Sequence, residues 1–197
     1  FSPARPAVIA FACSDIDERA SLEGLTTIID GFKLWKDLNI KTKNTLLSSE
    51  IEYRLSVDAP AKKLPKGKRP WFLEYEGVKN VELDGDNGKI NFDYKTSFVN
   101  EHPLRRTIAL ANHSFINIRT EPQILNRMVN LSITDSKDLS FIRDDINQSL
   151  EDNIFTFQWE KGLILILDNF RFMHGRLPYN LELKRKLYIL QFRNFNY

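Results

Sequence analysis

The stretch that most restricts what this chain can fold into is "GLILILDNFRFMHGRLPY", Gly162 to Tyr179. Almost purely aliphatic residues run into Asp168-Asn169, a short apolar segment bounded by turn residues that reads as a buried strand. Five positions beyond Asn169 stands His174, one of three histidines in the sequence, followed at once by Gly175 and Arg176. A strand of this kind is a rigid platform. The histidine at its exit either closes a loop or serves as a metal ligand held at the mouth of the fold.

The rest of the chain supplies partners for such a strand. "AVIAFAC" (Ala7–Cys13) reads as a second buried strand, and "TTIIDGFKLWKDL" as a strand end, a turn at Asp30-Gly31 and a helix from Phe32. "TLLSSEIEYRLSV" fits helix or strand. "WFLEYEG" and "KINFDYKTSF" read as two strands around the turn "DGDNG", where Gly and Asn supply positive φ. That turn lacks the downstream acidic ligand of a calcium loop. "RTIALANHSFINI" reads as a further strand or two. "EPQILNRMVNL" and "DLSFIRDDINQSLED" read as amphipathic helices, and "NIFTFQW", "GLILILDN" and "KRKLYILQFRNF" as closing strands. Many strands with turn-rich links and few helices predict an antiparallel β core with helices outside, in one domain over 1–197.

At 42% apolar residues with 14 Phe, the chain can bury a sizeable core. Its +2 net charge gives no electrostatic case for nucleic acid or an anionic membrane. No apolar run approaches the ~20 residues of a membrane span. The single cysteine, Cys13, excludes a disulfide framework, fits a reducing cytoplasm and reads as a small buried hydrophobe. Trp35, Trp71 and Trp159 read as core, and Lys62–Arg69 as a solvated loop or a flap.

Eleven positions after His174 comes Arg185, opening "RKLYILQFR". With period two, Arg185, Leu187, Ile189, Gln191 and Arg193 share one face, and Lys186, Tyr188, Leu190 and Phe192 the other. Apolar residues on both faces predict cover on both. An arginine there is costly to bury unless an anion pairs with it, either a protein carboxylate or a ligand carboxylate gripped by the guanidinium fork.

"FTFQWEKGLILILDNFRFMHGRLPY…KRKLYILQFR" resembles the C-terminal signature of the iron(II)/2-oxoglutarate oxygenases of the taurine dioxygenase (TauD/TfdA) and clavaminate synthase-like family. There an aromatic strand and a Trp-x-x-Gly turn precede an apolar strand ending in Asp-Asn-x4-His-(Gly/Ala)-Arg, and an arginine follows after about ten residues. "RPAVIAFACSDIDERASLEGLTTIIDGFKLWKDL" (Arg5–Leu38) is similar to a second family segment, and "HPLRRTIALANHSFI" weakly to a third. The resemblance implies a distorted double-stranded β-helix, or jelly roll, with residues 39–130 as an insert or lid. It implies Fe(II), 2-oxoglutarate and dioxygen as the reacting set, with release of succinate and CO2. On it, His174 is the distal iron ligand, Arg185 grips the far carboxylate of 2-oxoglutarate, and Thr26 donates its hydroxyl to that carboxylate, with Thr27 as the register alternative. Asp168-Asn169 is a structural turn. His102 and His113 are satisfied loop or strand histidines. Arg193 is a candidate for a substrate carboxylate or a plain salt bridge, and Arg176 packs beneath the site or faces the substrate.

The family's remaining two ligands come as His-x-Asp or His-x-Glu, and this sequence contains no such pair. They are expected upstream of Phe1, in a longer protein of which this chain is the C-terminal two-thirds. Similarity around "FACSDIDERA" to the clavaminate synthase branch implies an amino-acid-derived small-molecule substrate, as in secondary metabolism, that is hydroxylated, desaturated or cyclised; a cytoplasmic protein is expected, with a homo-oligomer as one option. Two rivals are a non-catalytic jelly-roll binding relative and a cupin-type metalloenzyme that does not use 2-oxoglutarate.

Overall fold

A computed structural model describes residues 5–58, 73, 77–84, 88–111, 129–132, 140–178 and 182–192. Its strands are β1 (Val8–Ile16), β2 (Thr26–Asp30), β3 (Glu50–Asp58), β4 (Val78–Asp84), β5 (Lys89–Ser97), β6 (Asn100–Glu101), β7 (Ile108–Ala109), β8 (Val129–Ser132), β9 (Ile154–Phe157), β10 (Ile164–Asp168), β11 (Phe172–Arg176) and β12 (Arg185–Phe192). Its helices are α1 (Glu18–Leu22), α2 (Gly31–Asp37), α3 (Ile40–Leu47) and α4 (Ser140–Asn153). The described residues form two compact units: those of Pro6–Lys43, Val99–Asn112 and Asp138–Tyr197, and those of Asn44–Phe98 and His113–Lys137 with Arg5.

The first unit holds two antiparallel three-stranded sheets, ordered β10-β1-β12 and β11-β2-β9. Alternation along each strand decides which residues face inward. From the first sheet Ile9, Phe11, Cys13, Leu165, Leu167 and Leu187 enter a shared core; Ile28, Phe157, Phe172 and the loop residue Trp159 enter it from the second. This is the expected mainly β, jelly-roll architecture. Cys13 and Trp159 are the buried core residues anticipated from sequence, whereas Trp35 is half-buried.

Helices cover the second sheet from outside. The turn expected at Asp30-Gly31 is a helix N-cap, with the Asp30 carboxylate accepting from Phe32 N at 3.0 Å. Gly31 is required there because a Cβ would sit 2.6 Å from the Arg171 carbonyl oxygen and 2.9 Å from that of Leu110. α2 and α4 pack on each other and on β2, and Ile142, Ile146 and Leu150 form the buried stripe of α4 at the anticipated helical spacing.

The other unit is a four-stranded sheet, β4-β5-β3-β8. The expected hairpin is present, with Asp84 opposite Lys89 and Gly88 at φ +61°; its first strand is β4, and of "WFLEYEG" only Leu73 and Gly77 are among the described residues. "TLLSSEIEYRLSV" resolves into the end of α3 followed by β3. The helix expected over "EPQILNRMVNL" is corrected in its last part: Val129–Ser132 is a strand paired to β3, so ladder pairing overrides local helical spacing. Residues 121–128, Trp71, His113, Arg193 and the Lys62–Arg69 loop lie outside the described residues.

β12 departs from the expectation of cover on both faces. Near its start Leu187 packs into the core, but further along Tyr188, Ile189, Leu190 and Phe192 are exposed, as are Ile164 and Ile166 of β10.

Candidate active site

The two sheets of the first unit bring three of the sequence-predicted residues to their facing inner surfaces. His174 lies on β11 with the parity of the core residue Phe172 and opposite Ile28 of β2. Its ring meets Phe11 of the other sheet edge-on, with centroids 5.0 Å apart and planes at 69°. Phe11 in turn stands 6.4 Å from Trp159.

Trp159 connects this aromatic group to Thr26. The indole Nε1 donates to Thr26 Oγ1 at 2.8 Å, with the two residues 1% and 7% exposed. Thr26 has the inward parity of Ile28; the register alternative Thr27 has the parity of Ile29, on the opposite face of β2. An indole N–H only donates, so it occupies an acceptor position on Thr26 and leaves the hydroxyl hydrogen available for a carboxylate.

Arg185 opens β12 opposite Ile16 of β1, with the inward parity of Leu187. Its Nη1 donates to the carbonyl of Gly24, two residues before Thr26. The guanidinium thus comes from the first sheet and reaches the backbone just before β2, the strand of the second sheet that Thr26 opens. Burial pushes the Cys13 thiol up, partly offset by a backbone hydrogen bond at Asp15 and by the nearby Arg185 charge.

The turn between β10 and β11 fixes where His174 emerges. Asp168 Oδ1 accepts from Phe170 N at 3.0 Å and its carbonyl from Arg171 N at 3.2 Å, while Asn169 donates from its backbone to Ala7 O and from its side chain to Pro6 O. Arg171 forms a bidentate pair with Asp30, with Nε to Oδ1 at 3.0 Å and Nη2 to Oδ2. Desolvation pushes the Asp30 carboxyl up, but the Arg171 hydrogen bond and charge, with the amides of Phe32 and Lys33, outweigh it and hold the acid below its usual range.

Sequence reading gave His102 no specific partner. The side chain is 3% exposed, and Nε2 lies 2.7 Å from Asp168 Oδ2. Its partner is 66 positions away, and nothing in a His-Pro dipeptide announces that contact.

Chemically, Arg185 offers a planar fork and Thr26 a hydroxyl donor, the two group types that bind a carboxylate of a small diacid. The metal end is less complete. Ferrous iron favours two imidazoles and a carboxylate, whereas among the described residues no group of three His, Cys, Asp or Glu side chains could hold a metal ion. His174 is the one described imidazole on these inner faces. The residues present thus fit the diacid and supply a single candidate metal ligand.

Residues 1–190 match the model of the family described as taurine catabolism dioxygenase TauD, TfdA family. No curated protein matches the sequence. Among solved structures, AAD-2 in complex with Mn(II) and N-oxalylglycine aligns with a TM-score of 0.62 at 12% identity, over 96% of this chain and 64% of that one. A taurine dioxygenase from Burkholderia xenovorans aligns with a TM-score of 0.55 at 12% identity, over 95% of this chain and 52% of that one. The chain therefore spans about half to two thirds of these structures, and the likeness shows their β fold.

Proposed function

Starting from a chain that belongs to the taurine catabolism dioxygenase TauD, TfdA family, we propose an iron(II)- and 2-oxoglutarate-dependent oxygenase acting on a small molecule. The observation that carries this reading is that His174, Thr26 and Arg185 all have the inward parity of core residues on the two facing sheets. Arg185 and Thr26 hold the far carboxylate of 2-oxoglutarate, the guanidinium through its fork and the hydroxyl through the proton that Trp159 leaves unengaged. N-oxalylglycine, bound by AAD-2, differs from 2-oxoglutarate only by NH in place of CH2 and presents the same pair of carboxylates.

His174 supplies one imidazole to iron. Iron, when bound, provides the oxygen chemistry; the protein contributes orientation, with Phe11 and Trp159 packed as aromatic neighbours beside the His174 ring and Thr26. The substrate is an amino-acid-derived small molecule, hydroxylated, desaturated or cyclised, by fold-level analogy with the clavaminate synthase branch. Arg193 is assigned to a substrate carboxylate, and residues 39–130 to an insert within one oxygenase domain.

Succinate release on adding iron(II), ascorbate and 2-oxoglutarate tests the reading, with His174→Ala as the control. Succinate formed equally by both proteins would overturn it. The single described candidate ligand favours a second reading, a diacid-binding relative without turnover; binding of 2-oxoglutarate with no succinate formed would select it.

A further inference from the structure

One buried imidazole remains outside this scheme. We propose that His102 is a positioning residue: as the neutral Nε2–H tautomer it holds the Asp168 carboxylate and, through the turn that follows, sets where β11 delivers the His174 ring. Its meaning for catalysis rests on the oxygenase reading; its geometry does not.

The tautomer follows from the neighbours. His102 Nδ1 accepts from Leu104 N at 3.2 Å and from Arg105 N at 3.1 Å. A proton on Nδ1 would face two donors, so the ring proton sits on Nε2 and is donated to Asp168 Oδ2 at 2.7 Å. The backbone of His102 is tied as well, its N–H donating to Thr107 O and its carbonyl accepting from Arg106 N, each at 2.9 Å. Phe32 and Phe170 meet the ring edge-on at centroid distances of 5.6 and 6.1 Å and help bury the imidazole, while the Asp168 side chain stays 32% exposed.

Asp168 transmits the constraint. One carboxylate oxygen takes the His102 proton, the other takes Phe170 N, and the carbonyl takes Arg171 N. Rotation of the carboxylate would break the first two together and loosen the turn that ends three residues before His174. Arg171 is anchored independently, by its guanidinium on Asp30 and by its carbonyl on Gly31 N at 2.8 Å. Loss of His102 is therefore expected to displace β11 locally and not to unfold the sheet.

With only three histidines in the sequence, the ring nitrogens can be read by long-range 1H–15N spectra of the labelled protein. The native protein is expected to show His102 as the neutral Nε2–H form. In His102→Phe and Asp168→Asn the His174 ring signals move, whereas His102→Gln, which keeps a side-chain N–H for Asp168, returns them toward the native positions. Asp168→Asn has one acceptor oxygen where the carboxylate used two, so it gives up either the imidazole contact or the bond from Phe170 N. A native Nδ1–H tautomer, or unmoved His174 signals in either folded non-donating variant, would overturn the proposal. So would Gln behaving like Phe. The spectra require neither metal nor 2-oxoglutarate, so an absence of succinate formation leaves this test intact.

Discussion

Trp159 and Thr26 are joined inside the first unit by an indole N–H donated to a hydroxyl across 2.8 Å. Because the indole cannot accept, the contact fixes how the threonine proton can be used. Thr26→Val removes that proton and strands the indole N–H in a buried position. We expect a stability loss of about 1–3 kcal/mol by chemical denaturation and a roughly tenfold or greater rise in the 2-oxoglutarate needed for half-saturation. Thr26→Ser retains the hydroxyl and should restore most of the binding. A valine variant that binds 2-oxoglutarate as well as the native protein would end the assignment.

Arg185 reaches the entry to β2 through its bond to the Gly24 carbonyl. Lysine keeps the charge but not the planar fork, so Arg185→Lys should weaken 2-oxoglutarate binding about 10- to 100-fold in calorimetric titration. Arg185→Gln should weaken it further. An unchanged affinity in both variants would return the arginine to a purely structural role.

His174 meets Phe11 by an aromatic edge contact and is half-buried. His174→Ala is thus expected to abolish succinate release while lowering stability by only about 1 kcal/mol. Full-length folded protein with no turnover separates a ligand from a core residue, and circular dichroism melting together with the succinate assay reads both.

The Asp30–Arg171 pair carries a pH signature. Asp30 is held below the ordinary aspartate range, so its contribution to stability is fully present above about pH 4 and is lost as pH falls through the folded-state value. Asp30→Asn leaves the partly buried Arg171 without its carboxylate and removes the proton uptake. We expect a loss of about 3 kcal/mol at neutral pH and a flatter acid limb in urea melts recorded from pH 5 downward. Parallel acid limbs for variant and native protein would show that another group carries the dependence.

Much of the first unit was legible because local rules and tertiary demands coincide there. Ala7–Cys13 is apolar on both faces and becomes the central strand β1; Asp30-Gly31 is a capping dipeptide and starts α2; Gly162–Asn169 is a strand between turn residues. The inward parity of His174 and Arg185 follows from the period of two. The strand at Val129–Ser132 was hidden because its partner is β3, about 80 positions earlier, and helical spacing was the only local signal (Glu50 pairs Ser132). The bond between His102 and Asp168 was hidden for the same reason, since hydrogen-bond partners distant in sequence leave no periodicity.

Cys13 adds a practical consequence. It is the chain's only thiol, 2% exposed, and packs with Phe11 and Trp159 while sensing the Arg185 charge. A thiol reagent can reach it only when the two sheets part, so its labelling rate clocks the breathing of this β sandwich from a single reporter atom. Any diacid that bridges the sheets through Thr26 and Arg185 should slow that clock.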